Sequence, residues 1–354
     1  MAYPDRMVTK VLLAEPRGFC AGVEMAIKAL TWMVQVYEAP VYCYHEIVHN
    51  GAVVSAFEDA GVVFVDDISE VPEGRPVMLS AHGSAPEVVE AASDRSAVMV
   101  DAVCPLVTKV HHEVRRMASK GYDIIYVGHE GHDEATGAMA EAPEAAQLVD
   151  PRVGLDMFSA EADAKVALLA QTTLGLFEWE GVLSDAQERF PDLWTARKSD
   201  LCYATTNRQA AIQELAQRSD VLLVVGSENS SNTQALVRVG MNAEVPTYRV
   251  ESETEIDPAW LDGADVVGVT AGASAPDQRV QRVISSVAPT DGVEAVRVTS
   301  EDEYFPLPPT LRRFMAALQP LVEGGFACRT PGVPGRIEHD RDFTATEALA
   351  ILGV

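Results

Sequence analysis

The chain has 354 residues, more than one ordinary hydrophobic core requires, so we expect two or three domains. It carries 27 Lys and Arg residues against 53 Asp and Glu residues, and its formal net charge of −26 argues against non-specific nucleic-acid binding, which needs a cationic surface. No apolar run is long enough to cross a bilayer, and the N-terminus lacks a signal-peptide core and cleavage site, so we expect a cytoplasmic protein with no membrane partner.

The first predicted α/β unit covers residues 9–100. The apolar segment VLLA predicts a strand, and Cys20 follows it in PRGFCAGV, where apolar residues begin to recur at helical spacing. A second strand, VYCY, leads into a polar loop that contains His49. The strand VVFV ends at an acid, and the strand VMLS ends in a loop that contains His82. Both histidines therefore follow predicted strands.

The second predicted unit covers residues 101–198 and repeats this order. Cys104 follows AVMVDAV and precedes a helical pattern. The strand IIYV leads into GHEGHDE, which contains His132 and Glu134. The strand AQLV ends at an acid, and the strand VALLA leads into QTTL, which contains Thr172.

The third predicted unit covers residues 199–300 and begins with Cys202 after KSDL. Its strands LLVVG, TYRV and VVGVT alternate with helical patterns and polar loops. The loop residues with hydrogen-bonding side chains are Ser230, Ser231, Asn232 and Ser274. Beyond it, we expect residues 301–312 to return towards the first unit, and residues 313–354 to form a C-terminal extension whose role the sequence does not indicate.

The three units share one spacing. From each cysteine to a polar loop residue (His49, His132 and Ser230) the separations are 29, 28 and 28 residues. Self-similarity at a fixed period indicates a repeated structural unit, and strands that alternate with helices predict mostly parallel sheets. We therefore predict an α/β fold of three similar α/β units with mostly parallel sheets around a pseudo-threefold axis.

That axis would bring Cys20, Cys104 and Cys202 to one point. The five cysteines are an odd, sparse set without a CxxC motif, which argues against a disulfide framework and excludes a zinc ribbon. Three converging thiolates suit zinc with an open fourth position, or an iron–sulfur cluster, and the spacing favours the cluster. Unrelated buried thiols remain the third alternative.

The polar loops indicate an anionic ligand. Several of them lie just before a predicted helix, where backbone N–H groups and the helix dipole favour anions. His, Ser and Asn donors at such positions suit phosphate oxygens. No GxGxxG follows the first strand and no P-loop is present, so neither a dinucleotide nor a nucleoside triphosphate is indicated.

Nine motifs together resemble, in order and spacing, the 4-hydroxy-3-methylbut-2-enyl diphosphate reductase (LytB-type) family. They are PRGFCAGV, HEIVHN, SAHG, DAVCPLVTKVH, GHEGHDE, QTTL, DLCYATTNRQ, GSENSSN and VTAGASAPD. The resemblance covers about residues 9 to 312 and fades after EYFPLPPTLRR. Any one motif would be weak evidence, whereas nine in order are specific.

The resemblance implies an iron–sulfur reductase, an oxidoreductase that removes the allylic hydroxyl of 4-hydroxy-3-methylbut-2-enyl diphosphate. The implied products are isopentenyl and dimethylallyl diphosphate, made in the last step of the methylerythritol phosphate pathway to isoprenoids. The implied cofactor is a [4Fe-4S] cluster held by Cys20, Cys104 and Cys202, with one open iron that binds the hydroxyl. The implied electron donor is reduced ferredoxin or flavodoxin.

The resemblance also implies roles for the loop residues. Glu134 would be the proton source, and Thr172 would order the hydroxyl and the proton path. The implied diphosphate ligands are His49, His82, His132, Ser230, Ser231, Asn232 and Ser274. The physics agrees for Glu134, because a carboxyl enclosed with a diphosphate tends to stay protonated.

Neighbouring residues allow two further hypotheses. Thr205, Thr206 and Asn207 either donate to cluster sulfurs or cap the helix that follows Cys202. The basic side chains of KVHHEVRRMASK either steer an acidic electron donor or form a solvated helix face.

Two other functions remain open from the residues alone. A hydratase or dehydratase could use a three-cysteine cluster purely as a Lewis acid, and its turnover would consume no reducing equivalents. A regulatory protein could use a labile cluster as a sensor, but it would need neither phosphate donors nor an acid such as Glu134. No basic DNA-reading helix supports that alternative.

Overall fold

The computed structural model describes residues 8–161, 163–196, 199–323 and 337–353. The strands in these ranges are β1 (Lys10–Glu15), β2 (Val41–Tyr44), β3 (Val62–Val65), β4 (Val77–Leu79), β5 (Met99–Asp101), β6 (Tyr122–Val127), β7 (Ala146–Val149), β8 (Lys165–Ala170), β9 (Trp194–Thr195), β10 (Val221–Val225), β11 (Thr247–Val250), β12 (Val266–Ala271) and β13 (Val293–Arg297). The helices are α1 (Ala21–Val36), α2 (Gly51–Asp59), α3 (Pro86–Arg95), α4 (Pro105–Ala118), α5 (Asp133–Met139), α6 (Leu176–Arg189), α7 (Tyr203–Ala216), α8 (Ser231–Asn242), α9 (Asp277–Val287), α10 (Pro309–Glu323) and α11 (Ala345–Ile351). Within the described ranges, no helix combines the length and the apolar character needed to span a bilayer.

The strands form three sheets, and every strand pairing in them is parallel. Sheet A has the order β11-β10-β12-β1-β13, sheet B the order β3-β2-β4-β5, and sheet C the order β7-β6-β8-β9. The predicted α/β class with three parallel-sheet units is confirmed. The chain also divides into two compact units: unit 1 combines the described residues up to Cys20 with Leu106–Asp302, and unit 2 combines Ala21–Pro105 with the described residues from Glu303 onwards.

Four strands of each sheet follow the same order. In sheet A the fourth of these strands is β1, and β13 is added beyond it. The strands that precede the three cysteines in sequence are β1, β5 and β9, and they lie next to β12, β4 and β8 respectively. Thus β1, which falls in the predicted range 9–100, pairs with β12 and β13 in sheet A. An apolar strand that is buried on both faces fits the centre of any parallel sheet, so its sequence does not specify which sheet it joins. The predicted domain boundaries stay a prediction.

Helices cover both faces of sheet A, which explains the nearly continuous apolar sequence of its strands. On one face, Leu13 and Val269 belong to a buried cluster with Val283 of α9. On the other face, Leu12 and Leu222 pack with residues of α7 and α8. Sheet C is covered in the same way, by α6 on one face and by α4 and α5 on the other.

Two glycines allow α8 to approach the end of sheet A closely. Thr233, in the first turn of α8, is fully buried beside Gly226 and Gly272. A Cβ atom at Gly226 would lie 2.3 Å from the Thr233 Oγ1, and one at Gly272 would lie 2.1 Å from it. Any side chain at either position would therefore push the N-terminus of α8 away from the strand ends.

In unit 2, the described part of the C-terminal extension packs against α1. Phe343 is buried and makes an edge-to-face contact with Trp32, with ring centroids 6.5 Å apart. Lys28, only 2% exposed, donates to the Asp340 carbonyl at 2.9 Å and lies 3.3 Å from its carboxylate. The Tyr304 hydroxyl donates to the same carboxylate at 2.5 Å. The extension thus covers Lys28 and supplies the ion-pair and hydrogen-bond partners that a buried cation needs.

This arrangement predicts that Lys28→Met lowers the free energy of unfolding by about 3 kcal/mol, because removing one partner of a buried ion pair leaves the charge of the other uncompensated. Lys10→Met is the matched control, since Lys10 and Glu294 form an ion pair 3.0 Å long whose side chains are 40% and 41% exposed. We expect the control to lose less than about 1 kcal/mol. Urea unfolding followed by circular dichroism measures the stability of both variants. Equal losses of stability would show that the partners supplied by the extension do not stabilise Lys28.

Candidate functional site

The three candidate ligand cysteines are held by one repeated hydrogen bond. The backbone N–H of Cys20 donates to the carbonyl of Ala273 at 3.2 Å, that of Cys104 to Ala81 at 3.0 Å, and that of Cys202 to Thr172 at 3.1 Å. Each acceptor lies two residues beyond the end of a strand, after β12, β4 and β8. Each cysteine is also followed at once by a helix, α1, α4 or α7. The sequence repeat therefore corresponds to a repeated backbone geometry.

Cys20 and Cys202 both belong to unit 1, and Cys20 influences Cys202 electrostatically. Cys20 ends a turn in which Gly18 has a φ of +64°, and a Cβ atom there would lie 3.1 Å from the carbonyl oxygen of Ala275. Cys202 is the N-cap of α7, and its Sγ accepts from the backbone N–H of Thr205 at 3.3 Å. The Oγ1 of Thr205 lies 3.1 Å from the same sulfur and also donates to the carbonyl of Thr172 at 3.0 Å. The N-cap of this helix is thus Cys202 and not Thr205, and donation by Thr205 to cluster sulfurs stays a prediction.

Desolvation and the neighbouring Cys20 raise the pKa of the Cys202 thiol to about 11, while its hydrogen bonds to Thr205 act in the opposite direction. A free thiol there keeps its proton at neutral pH, whereas coordination to a metal would remove it. Cys20, Cys104 and Cys202 are partly exposed, whereas Cys43 is fully buried and burial raises its pKa strongly. Thiol groups that solvent can reach can act as metal ligands, so the chemistry of each of these three cysteines fits that role, whereas the enclosed Cys43 does not. Cys328 lies outside the described residues.

Unit 2 contains Cys104, His49 and His82. The rings of His49 and His82 stack with centroids 3.9 Å apart and an interplanar angle of 14°. The Nδ1 of His49 lies 3.1 Å from a carboxylate oxygen of Glu46. Asn50 is the N-cap of α2 and accepts from the N–H of Val53 at 3.2 Å. The loops after β2 and β4 thus bring the two candidate histidines together.

Glu134 is the most strongly perturbed carboxyl among the candidates. It lies in the first turn of α5, is 2% exposed, and accepts from Thr172 twice, from the backbone N–H at 2.6 Å and from Oγ1 at 3.1 Å. Desolvation raises the pKa of Glu134 to about 7, the Thr172 hydrogen bonds oppose this rise, and Asp200 adds to it. Glu134 can therefore hold a proton at neutral pH in contact with Thr172.

The ring of His132 is oriented by the same helix start. His132 is the N-cap of α5, and its Nδ1 accepts from the backbone N–H of Glu134 at 3.1 Å. In a neutral ring the proton then lies on Nε2, which makes that nitrogen a hydrogen-bond donor. His132 and Glu134 are thus held together at the start of α5.

The start of α8 carries three candidate ligands, and Ser230, Ser231 and Asn232 are each at most 7% exposed. Ser230 is the N-cap and accepts from the N–H of Thr233. The Oδ1 of Asn232 accepts from the N–H of Ala273 at 3.0 Å, and its Nδ2 lies 3.4 Å from the Oγ1 of Thr205. Asn232 thus bridges the loop that binds Cys20 to the residue that contacts Cys202. Ser274, 6% exposed, follows Ala273 in that loop.

Two residues near these candidates were missed by the sequence reasoning. The Nδ1 of His129 lies 3.4 Å from the Oγ of Ser231, and its Nε2 lies 3.4 Å from Glu178. Its signal was present, because GHEGHDE contains two histidines and only the second was chosen. Asp200 is 5% exposed, and desolvation raises its pKa to about 6 although Lys109 opposes this. Its burial depends on tertiary packing, which its sequence position does not reveal.

Comparisons with known proteins show what this chain is similar to. A family model described as LytB protein matches residues 11–288. The 4-hydroxy-3-methylbut-2-enyl diphosphate reductase of Mycolicibacterium paratuberculosis is 46% identical over 306 residues, which cover 86% of this chain and 92% of that protein. The solved structure of the E-1-hydroxy-2-methyl-but-2-enyl-4-diphosphate reductase from Plasmodium falciparum matches with a TM-score of 0.84 at 30% identity, over 89% of this chain and 100% of that one. A second structure, described as (E)-4-hydroxy-3-methyl-but-2-enyl diphosphate reductase, the terminal enzyme of the non-mevalonate pathway, matches with a TM-score of 0.56 at 29% identity, over 79% of this chain and 99% of that one.

The raised pKa of Glu134 has a consequence for stability. Between its ordinary value of 4.5 and about 7, the unfolded chain releases this proton and the folded chain keeps it, so rising pH destabilises the fold. Glu134→Gln has no proton to release, and should therefore gain about 3 kcal/mol relative to the wild type at pH 8 compared with pH 4.5. Urea unfolding of the cofactor-free protein at both pH values measures this difference.

The control for that measurement is Glu180→Gln, because Glu180 is an exposed acid of α6. Its difference from the wild type should be the same at both pH values. A Glu134→Gln effect that is equally independent of pH would show that Glu134 is ionised in the folded protein.

Proposed function

Since this chain belongs to the LytB protein family, we propose that it catalyses the reductive dehydroxylation of 4-hydroxy-3-methylbut-2-enyl diphosphate to isopentenyl and dimethylallyl diphosphate. This is the last step of the methylerythritol phosphate pathway to isoprenoids. The observation that carries the proposal is the buried Glu134 carboxyl, with its pKa near 7, in the same compact unit as Cys20, Cys202 and the start of α8. A proton donor, thiol ligands and an anion-favouring helix terminus are the three parts that this reaction needs.

Membership in this family implies an iron–sulfur cluster. We propose a [4Fe-4S] cluster with three cysteine ligands, Cys20, Cys104 and Cys202, and one open iron. When bound, such a cluster supplies electrons and a Lewis acid. Support comes from the partial exposure of these three cysteines and their identical backbone anchoring, which Cys43 lacks.

Glu134 is the proposed proton source for the departing oxygen. Reductive loss of the hydroxyl as water consumes two electrons and two protons. One proton converts the hydroxyl, a poor leaving group, into water, and the other forms the new C–H bond with the two electrons. At neutral pH the raised pKa of Glu134 keeps about half of the population protonated. After the proton leaves, the N–H and hydroxyl of Thr172 stabilise the carboxylate, since both already bond to its oxygens. Thr172 thereby orients the acid and balances its charge.

The diphosphate is the proposed ligand of His132, Ser230, Ser231, Asn232 and Ser274, together with His49 and His82. At the start of α8, the helix dipole and the backbone N–H groups of the first turn favour an anion. Gln171 orients Ser231, because its Nε2 donates to the serine Oγ at 3.1 Å, while the serine hydroxyl donates to the carbonyl of Thr173 at 3.3 Å. The Nε2 of His132 is a further donor, because a neutral ring whose Nδ1 accepts a hydrogen bond carries its proton on Nε2.

Reduced ferredoxin or flavodoxin is the proposed electron donor. The basic residues of α4 support a docking role poorly, because their charges are compensated within the chain. Lys109 lies 3.5 Å from Asp200, Arg115 lies 2.8 Å from Glu141, and Arg116 lies 3.0 Å from Glu113. These pairs favour the solvated-face interpretation of that helix. The cytoplasmic location expected from the N-terminus stays a prediction.

Glu134→Gln keeps the size and hydrogen-bonding capacity of this side chain but removes its acidic proton. We expect kcat to fall by about 10²- to 10⁴-fold, the usual contribution of a positioned general acid. The assay follows anaerobic substrate turnover with a reduced viologen dye as electron donor, and iron content is measured alongside. Glu180→Gln should retain full activity. Full turnover by Glu134→Gln with unchanged iron would remove Glu134 from the proton path.

Replacing Cys20, Cys104 or Cys202 singly by Ser should abolish stable binding of iron and sulfide. Cys43→Ala should keep both, because the buried Cys43 is not a proposed ligand. Iron and sulfide analysis with anaerobic absorption spectra tests this. A colourless wild-type protein with stoichiometric zinc would show that the three thiolates hold zinc instead.

A further inference from the structure

Arg208, on α7, is a fully buried cation, with a relative exposure of 0%. Its Nη1 donates to the carbonyl of Ala204 at 3.0 Å and to both carboxylate oxygens of Glu301, at 2.9 and 3.2 Å. Its Nε and Nη2 donate to the carbonyl of Gly18, at 3.2 and 2.8 Å. Nη2 also lies 3.4 Å from the carbonyl oxygen of Phe19. One side chain therefore binds three separate parts of unit 1.

Two of these parts carry candidate ligand cysteines. Gly18 and Phe19 directly precede Cys20, and Ala204 lies two residues after Cys202 in the first turn of α7. The guanidinium group thus ties the turn before Cys20 to the helix start that follows Cys202. Thr205 and Asn232 join the same two regions through a separate set of hydrogen bonds.

The third part, Glu301, compensates the buried charge. Its carboxylate is 15% exposed and also accepts from the Nδ2 of Asn207 at 3.0 Å. Buried ion pairs contribute little net stability, since desolvation offsets much of their attraction. General stabilisation is therefore a weak explanation for Arg208, whereas the fixed, forked geometry of its donors is a specific one.

We propose that Arg208 is a positioning residue: held by Glu301, it sets the distance between Cys20 and Cys202 before any cofactor binds. Its importance for catalysis rests on the proposed function, in which these two thiols are ligands of one cluster. The guanidinium fork is essential to this role, because it bonds to Gly18, Ala204 and Glu301 at once. A lysine at this position would keep the charge but present a single nitrogen.

The test measures the thiol pair directly in the full-length, cofactor-free protein. In a Cys104→Ser, Cys328→Ser background, Cys20 and Cys202 react with dibromobimane, a bifunctional alkylating agent that becomes fluorescent when both arms have bound thiols. The remaining Cys43 is fully buried. The rate of cross-linking is divided by the rate of single alkylation with monobromobimane, which corrects for changes in exposure or thiol reactivity.

We expect Arg208→Lys and Arg208→Met each to lower this ratio by about tenfold, because the effective concentration of one thiol near the other falls when its turn is no longer held. Glu141→Gln is the matched control: it breaks a cluster in unit 1 in which the buried Glu141 carboxylate lies 2.8 Å from both His111 and Arg115. The control should lose stability but keep the ratio. If Arg208→Met does not fold, Arg208→Lys decides the outcome.

An unchanged ratio in a folded Arg208 variant would overturn the positioning role, as would an equal fall in Glu141→Gln. In the otherwise wild-type protein, iron release to a ferrous chelator should be faster for Arg208→Lys than for Glu141→Gln, and equal rates would also count against the proposal. The cross-linking ratio does not depend on a cluster. A wild-type protein that binds no iron would therefore overturn the proposed cofactor, while the ratio would still decide whether Arg208 holds the two thiols.

Discussion

The site depends on one repeated interaction, the hydrogen bond from the backbone N–H of each candidate cysteine to a carbonyl two residues beyond the end of a neighbouring strand. Parallel strands in a sheet end at the same edge, so this bond places each cysteine where one strand has ended and a helix begins. The acceptors Ala81, Thr172 and Ala273 lie in loops that also carry candidate site residues, namely His82, Thr172 itself and Ser274. Backbone geometry thereby links each thiol to polar side chains without requiring contact between the side chains themselves.

Burial controls the chemistry of the groups around this frame. In a chain with a net charge of −26, most acids are solvated, yet Glu134 is enclosed and its pKa rises to about 7. The hydrogen bonds from Thr172 oppose that rise, so the acid holds its proton near neutral pH and can still release it. Arg208 shows the opposite solution, in which Glu301 and backbone carbonyls fully compensate a buried charge. A carboxyl whose pKa lies near neutral pH, as in Glu134, suits proton transfer. A fully paired guanidinium, as in Arg208, suits a positioning role.

Sequence reasoning succeeded where a local pattern carries the information. The helix starts after Cys20, Cys104 and Cys202 follow from apolar spacing, and the three parallel sheets follow from the alternation of strands and helices. It was less informative where partners are distant in sequence. The pairing of β1 with β12, the ion pair of Lys109 with Asp200, and the contact of His129 with Ser231 all join residues far apart along the chain. Periodicity reports which face of an element is buried and not which element covers it.

The sequence by itself determined the α/β class, the repeat, the position of the candidate residues in loops and helix starts that follow strands and, through nine ordered motifs, the family. These properties are local, or depend on fixed spacing, and so can be derived from the residues in order. Only the tertiary structure decided that Glu134 is buried against Thr172, that Asn232 and Arg208 join the turn before Cys20 to the start of α7, and that the C-terminal extension covers Lys28. Desolvation and ion pairing depend on which atoms surround a group in space, and those neighbours come from segments that are up to some three hundred residues apart in the sequence.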